Sequence, residues 1–316
     1  MKDLDTVKKS GSGNEALRRY TQASERAASQ IIAAYSTSFG IATRLLGPRH
    51  RQHVRNVYAL VRVADELVDG VTAEAAFSLA EQQSALGALE AETKEAIAVG
   101  YSSNPVVHAF ACTARESGIT SELITPFFDS MRADLNEIPI SEGLPSEASP
   151  KLRVFDASEH ARYVFGSAEV VGLMCLRIFL RHEAVRPESL EMLEHGARQL
   201  GAAFQNVNFL RDLKDDAARL GRSYLGADIH LTEAQKNEWI TVIRAQLQDA
   251  RSALPLLPQD ARTAVACALR LFSTLTDKLA ATPAQELMRR RVRVPAPLKA
   301  WLVLQSTLDT RWGSAA

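Results

Sequence analysis

Apolar residues along this chain return every three or four positions over long stretches, and runs that alternate at every second residue are scarce. That spacing is one face of an α-helix. The pattern predicts helices near 15–34, 50–69, 73–98, 104–116, 120–136, 156–181, 187–220, 232–253, 259–281 and 296–310. Gly47-Pro48, Gly118 and Pro255 supply stop signals between them. Residues 1–13 read as a flexible start, and the proline-rich stretch Ile138 to Pro150 as an irregular loop. No internal repeat and no Gly/Ser-rich linker divides the rest. The expected architecture is all-α, a single helical domain over residues 14–316 that sits near the upper size for one core.

Two of these helices carry more than a core face. Between Arg51 and Asp69, Val57, Ala59, Leu60, Val61, Val63, Ala64, Leu67 and Val68 surround the whole circumference, the mark of a buried helix. Yet Arg55, Tyr58, Arg62, Asp65 and Asp69 recur at spacings of three and four, forming one polar stripe. A buried helix carries an unpaired charged stripe only at a heavy desolvation penalty, so the stripe must face partners or a filled cavity. Further on, Leu190, Leu193, Ala197, Leu200, Phe204, Val207 and Leu210 make an apolar ridge, and beside it run Gln205, Asn208, Asp212 and Asp216. A plainer reading makes these charges intrahelical salt bridges, Arg62 with Asp65 or Arg211 with Asp215, each contributing only a few tenths of a kcal/mol. Two i, i+4 aspartate pairs on apolar helices, each with a tyrosine or carboxamide alongside, favour the cavity.

Oxygen donors without Cys or His suit hard cations, and magnesium is held by one or two carboxylates while substrate phosphates complete its shell. Arginines on the same faces would neutralise the remaining phosphate charge. The rest of the composition removes rivals. Thirty-seven basic and 37 acidic residues give zero net charge, against a nucleic-acid binder, with Arg289, Arg290, Arg291 and Arg293 as the local exception. Cys112, Cys175 and Cys267 are far apart, so neither a zinc site nor a disulfide framework follows, and a cytoplasmic setting fits. The seven histidines show no spacing that gathers two on one helix face, which speaks against a histidine metal site. The polar N-terminus lacks a signal-peptide core, and charges interrupt every apolar run before membrane length, so any membrane contact is peripheral. Asp129 and Asp134 read as a solvated face, and Glu66 as lying off the Asp65–Asp69 face.

At these residues the sequence resembles the squalene/phytoene synthase family of trans-isoprenyl diphosphate synthases. Asp65-Glu66-Leu67-Val68-Asp69, with Tyr58 and Arg62 upstream, is similar to the family's first aspartate motif. Gln205 and Asn208-Phe209-Leu210-Arg211-Asp212 through Asp216 are similar to the second. Tyr35-Ser36-Thr37-Ser38-Phe39, the small-residue helix from Tyr163 to Gly172, and Gly221-Arg222-Ser223-Tyr224-Leu225 match further motifs in the family's order. Two departures stand out, Gly226 for the usual proline and Phe272 for a diphosphate-contacting tyrosine.

The resemblance implies an isoprenoid synthase helical bundle around a central cavity. It implies magnesium, with manganese as a substitute, held by Asp65, Asp69, Asn208, Asp212 and Asp216. It implies substrate contacts from Tyr35, Ser36, Ser38, Phe39, Tyr58, Arg62, Gln205, Arg211, Arg222, Tyr224 and one of the late arginines, taken as Arg291. Tyr163 is assigned a cavity role by its hydroxyl or by cation–π contact, though tyrosines on apolar helices are ordinarily core residues. Ser36 and Ser38 also suit helix capping. The implied reaction joins two allylic prenyl diphosphates head to head through a cyclopropyl diphosphate. Residues 163–176 are most like bacterial carotenoid-pathway members, which implies geranylgeranyl diphosphate as substrate, phytoene as product and contact with a membrane surface for release. No reduced nicotinamide is expected, since no G-x-G-x-x-G loop is present. A C30 synthase acting on farnesyl diphosphate shares these motifs and is the alternative. A non-catalytic scaffold is a second one, and would have been free to lose the four aspartates.

Overall fold

The computed structural model describes residues 9–135, 153–215, 222–223, 225, 231–295, 297–299, 301–303 and 305–306. Glycine, proline and short polar side chains set the helix ends. Helix α1 (Lys9–Tyr35) and the short α2 (Thr37–Arg44) lead to Gly47, which precedes Pro48 at the start of α3 (Pro48–Asp69). Proline there sacrifices no hydrogen bond, because a first-turn N–H has no intrahelical acceptor. Asn104 caps α6 (Pro105–Ser117) by accepting from the N–H groups of Val106 and Val107. Gly118 closes it in the left-handed region at φ 67°.

Three boundaries differ from the sequence reading. Helix α1 opens at Lys9, inside the stretch expected to be flexible. The predicted 73–98 helix is divided into α4 (Val71–Glu74) and α5 (Leu79–Val99). Ala76 adopts φ 61° at the break, and Ser78 with Glu81 forms a capping box that starts α5 afresh. The predicted 156–181 helix is α8 (Ala157–Val164), a π-helical turn (Phe165–Glu169) and α9 (Val170–Leu180). Helices α7 (Ser121–Asp134), α10 (Pro187–Asp215), α11 (Glu233–Ala253), α12 (Gln259–Ala281) and α13 (Ala284–Leu287) complete the bundle. Among the described residues, β1 (Arg153–Val154) and β2 (Arg222–Ser223) form a two-residue parallel pairing. The Ile138–Pro150 loop and Gly226 lie outside the described residues.

Two large apolar cores form among the described residues, beside a small cluster of Ala28, Ala59 and Ala109. One gathers buried residues of α3, α5, α6, α7 and α9, among them Leu60, Phe110, Phe127 and Ile178. The other gathers Val207, Leu210, Ile243 and Leu269 from α10, α11 and α12. Between them runs a cavity of about 240 Å³, walled by α9 on one side and α10 on the other. One wall is Ser167 of the π-turn and then Val171, Cys175 and Phe179 of α9, each four residues after the last; along α10 it is Leu193, Ala197, Leu200 and Phe204. From Ser167 to Phe179 it extends roughly 18 Å, at about 1.5 Å rise per residue. Glycines let the helices close on one another here. A methyl on Gly172 would stand 2.4 Å from the Ala197 carbonyl oxygen, and one on Gly166 would stand 2.3 Å from that of Pro126.

The segment Ala157–Leu180 corrects one expectation, because it is long and apolar enough to cross a membrane by composition. Half of that window is buried in the bundle, and its other apolar face lines the cavity. A helix between a core and a cavity is apolar all round for reasons unrelated to lipid.

A polar clasp ties α3, α9 and α12 together beside Leu46, Phe179 and Leu257 of the cavity. Arg49 grips Asp260 through Nε at 2.6 Å and Nη2 at 3.0 Å, and reaches Glu183 at 2.7 Å. The fully buried His50 accepts at Nδ1 from Arg181 and so carries its proton on Nε2, 3.1 Å from Asp260. The Arg49 guanidinium holds the Asp260 carboxyl down at about 2, while burial lowers His50. His50 and His53 thus do share a stretch of α3, three residues apart, against the sequence reading. They go to separate partners, His53 bonding Thr113 at 3.0 Å.

Candidate active site

The polar stripe of α3 opens into a pocket of about 160 Å³ lined by Tyr58, Arg62 and Asp65, with Phe127 and Met131 of α7, Tyr163, Ser167 and Gln205. Arg62 donates to Asp65 at 2.6 Å and also bonds Glu66, so the Arg62–Asp65 salt bridge of the plainer reading does form, whereas Arg211 pairs with Asp212 and the Asp215 side chain lies outside the described residues. The setting of Arg62 and Asp65 is a pocket wall and not an open helix face. The Arg62 guanidinium lies over the Tyr35 ring at 4.4 Å from its centroid. Tyr58 hydrogen-bonds Ser36, and burial raises its pKa, which keeps the phenol a donor. Tyr35, Ser36, Tyr58, Arg62 and Asp65, spread over thirty positions of sequence, are therefore neighbours.

On α10, Gln205 lines the same pocket and Asn208 stands half-buried one turn later. Asp212 accepts from Arg211 at 2.9 Å and from Arg291 at 2.7 Å. Among the late arginines, then, Arg291 reaches Asp212 of the second aspartate stripe, while Arg290 pairs with Glu286 at 2.7 Å. The side chains of Ser38, Phe39, Asp69 and Arg222, and the whole of Asp216 and Tyr224, lie outside the described residues.

Tyr163 is buried, its ring packed edge-on to Phe155 and tilted against Phe209. Its hydroxyl donates to Asp134 at 2.7 Å. Asp134 is only 4% exposed, which overturns its reading as part of a solvated face; Asp129 does face solvent and pairs with Arg132. The missed signal was spacing, since Ile124, Phe127, Met131 and Asp134 follow one another at three and four along the buried stripe of α7. Tyr163→Phe removes a donor from a buried carboxylate and should destabilise the protein by about 1–3 kcal/mol. A urea titration checks it, and an unchanged midpoint would mean that the hydroxyl contributes nothing to the fold.

Three further side chains shape the cavity. Phe204 stacks on Phe272 with ring centroids 3.6 Å apart, and so closes the cavity between α10 and α12. Cys175 lines the cavity, and desolvation pushes its thiol up to about 12, so the cavity wall carries a neutral thiol there. Among the described residues, every metal-capable side chain of the pocket is an oxygen donor. That is a fit for magnesium and a poor one for zinc.

The family model for squalene/phytoene synthase matches residues 32–297. A phytoene synthase of Zea mays is 28% identical over 280 residues, which cover 83% of this chain and 60% of that protein. One of Pseudescherichia vulneris is 30% identical over 64% of this chain and 59% of its own length. One of Arthrospira platensis is 29% identical over 79% and 82%. The chain thus spans about three fifths of the first two relatives. Among solved structures, a dehydrosqualene synthase superposes with TM-score 0.73 at 20% identity over 93% of this chain and 98% of its own. A squalene synthase of Alicyclobacillus acidocaldarius superposes with TM-score 0.65 at 17% identity over 83% and 96%. With its all-α bundle around a cavity and the family model matched over most of its length, the chain belongs to the squalene/phytoene synthase family.

Proposed function

We propose that the protein is a phytoene synthase, joining two geranylgeranyl diphosphates head to head into a C40 hydrocarbon. The observation that carries the reading is the meeting of an oxygen- and guanidinium-lined pocket with a long apolar cavity, the negative image of an isoprenoid diphosphate. The bacterial and plant relatives named phytoene synthase support this chain length.

Asp65 and Asp212, with Asp69, Asn208 and Asp216 of the same stripes, would hold magnesium, which when bound supplies Lewis-acid pull on phosphate oxygens. Arg62, Arg211 and Arg291 bind the phosphate groups, exchanging carboxylate for phosphate partners. Tyr58, protonated by its buried setting, donates to the same head group. The stacked Phe204 and Phe272 and the walls of α9 and α10 exclude water, which would quench an allylic cation. A cation formed there ends by proton loss, for which released diphosphate is a sufficient base. We place the reaction in the cytoplasm, with the apolar product passing to a membrane surface.

The test is purified protein with magnesium and either geranylgeranyl or farnesyl diphosphate, with and without NADPH, and products identified by mass. A C40 product from geranylgeranyl diphosphate that needs no NADPH is expected. Product from farnesyl diphosphate alone, or only with NADPH, assigns a C30 synthase instead; no product from either leaves a non-catalytic relative.

A further inference from the structure

Ser167 is the residue common to both walls, lining the apolar cavity and the polar pocket alike. Its Oγ is buried and has no hydrogen-bond partner among the described residues. Serine and threonine inside helices ordinarily donate to the carbonyl four residues back. Ser29 does so to Glu25, Thr93 to Leu89 and Thr276 to Phe272. Ser167, like Ser24 of α1 and Ser117 of α6, does not; unlike them it sits in the π-helical turn Phe165–Glu169, where the hydrogen-bond spacing is wider, and it lines both spaces. The turn is held in place by Gly166, pressed against the Pro126 carbonyl of α7. The fold therefore maintains an uncommitted hydroxyl at the border of two spaces, and a rotation about χ1 between staggered wells presents it to either.

A ligand whose anionic head lies beside Arg62 and whose chain lies along α9 has its head-to-chain linkage at Ser167. In a prenyl diphosphate that linkage is the C1–O–P bridge. We propose that Ser167 is a further catalytic residue, donating a hydrogen bond to the bridging oxygen of a bound allylic diphosphate. The proposal rests on the substrate class given under the proposed function. When the C1–O bond breaks, its electron pair stays with the oxygen, C1 becomes the allylic cation, and diphosphate departs as the anion. Ser167 keeps its proton throughout. The donor thus meets charge that grows only as the bond breaks, so it favours the transition state over the bound substrate. The neighbouring Tyr163 hydroxyl is already given to Asp134.

Ser167→Ala is the test, read three ways. Turnover of geranylgeranyl diphosphate should fall about a hundredfold, the effect of removing one donor from a developing oxyanion, with KM within about threefold of wild type. The melting temperature of the metal-free protein should rise by about 2 °C, because a buried hydroxyl without a partner is removed. A bridging-sulfur analogue, whose sulfur accepts hydrogen bonds weakly, should bind variant and wild type within about twofold. Turnover within threefold of an active wild type would overturn the proposal alone, as would a lowered melting temperature, which would give the hydroxyl a role in the fold. Tenfold weaker binding of the sulfur analogue would move its contact to the phosphate and likewise overturn it. A wild type inactive on every prenyl diphosphate would remove the substrate reading, and this proposal with it.

Discussion

Asp65→Asn and Asp212→Asn are each expected to lower turnover about a thousandfold, roughly 4 kcal/mol of transition-state stabilisation, with the far-UV circular dichroism unchanged. Asparagine keeps size and hydrogen bonding but removes the charge that a hard cation requires. Structural damage is a poor rival explanation. Arg62 retains Glu66 when Asp65 is neutralised. Arg291 loses Asp212, but it is 42% exposed, and an ion pair to so exposed a partner contributes at most about 1 kcal/mol; Arg211 loses a carboxylate on the adjacent residue. Steady-state kinetics at saturating magnesium decides the matter. Turnover within tenfold of wild type in both variants would reduce these aspartates to the ion pairs that they also make.

Gly166→Ala should destabilise the protein by about 3 kcal/mol or more, at the upper end of overpacking. Its new methyl would stand 2.3 Å from the Pro126 carbonyl oxygen and 2.8 Å from the Ser130 Cβ. The first of these is backbone within α7, so neither neighbour yields by a rotamer change. Gly87 gives the contrasting control. It lies in α5 with nothing within 4 Å of the position its methyl would take. Gly87→Ala should therefore stabilise by about 0.5–1 kcal/mol, the ordinary gain inside a helix. Denaturant midpoints of opposite sign are expected; a Gly166→Ala midpoint equal to wild type would mean that α7 and the π-turn are free to separate.

Periodicity carried much of this molecule. The stripe of Tyr58, Arg62 and Asp65 was visible because a circumferentially apolar helix has no cheap place for charge. The ridge from Leu193 to Phe204 was read as a packing face, and it lines the cavity because a cavity wall and a core face have the same composition. What stayed hidden depends on long-range contact. Arg291 meets Asp212 across 79 positions and Arg49 meets Asp260 across 211, and no local pattern marks either pair. The π-turn was invisible for another reason: one extra residue in a helical turn leaves the apolar spacing almost unaltered while it re-aims Ser167. Asp134 was legible and misread, since acidic residues near a helix end are ordinarily solvated.

The glycines and alanines along the cavity give it a one-way evolutionary future. At Gly172 and Gly201 any side chain meets a backbone oxygen at 2.4 Å, and at Ala168 and Ala197 almost nothing is left to trim. At those four positions drift cannot widen the tunnel. Room is gained by truncating the larger wall residues, among them Val171, Leu200, Phe204 and Phe179, and Phe179 meets His50 of the clasp edge-on at 5.4 Å. Descendants selected for a longer substrate would gain room at the larger wall residues, and those that truncate Phe179 would lean more heavily on the Arg49–Asp260 clasp to hold that end of the bundle.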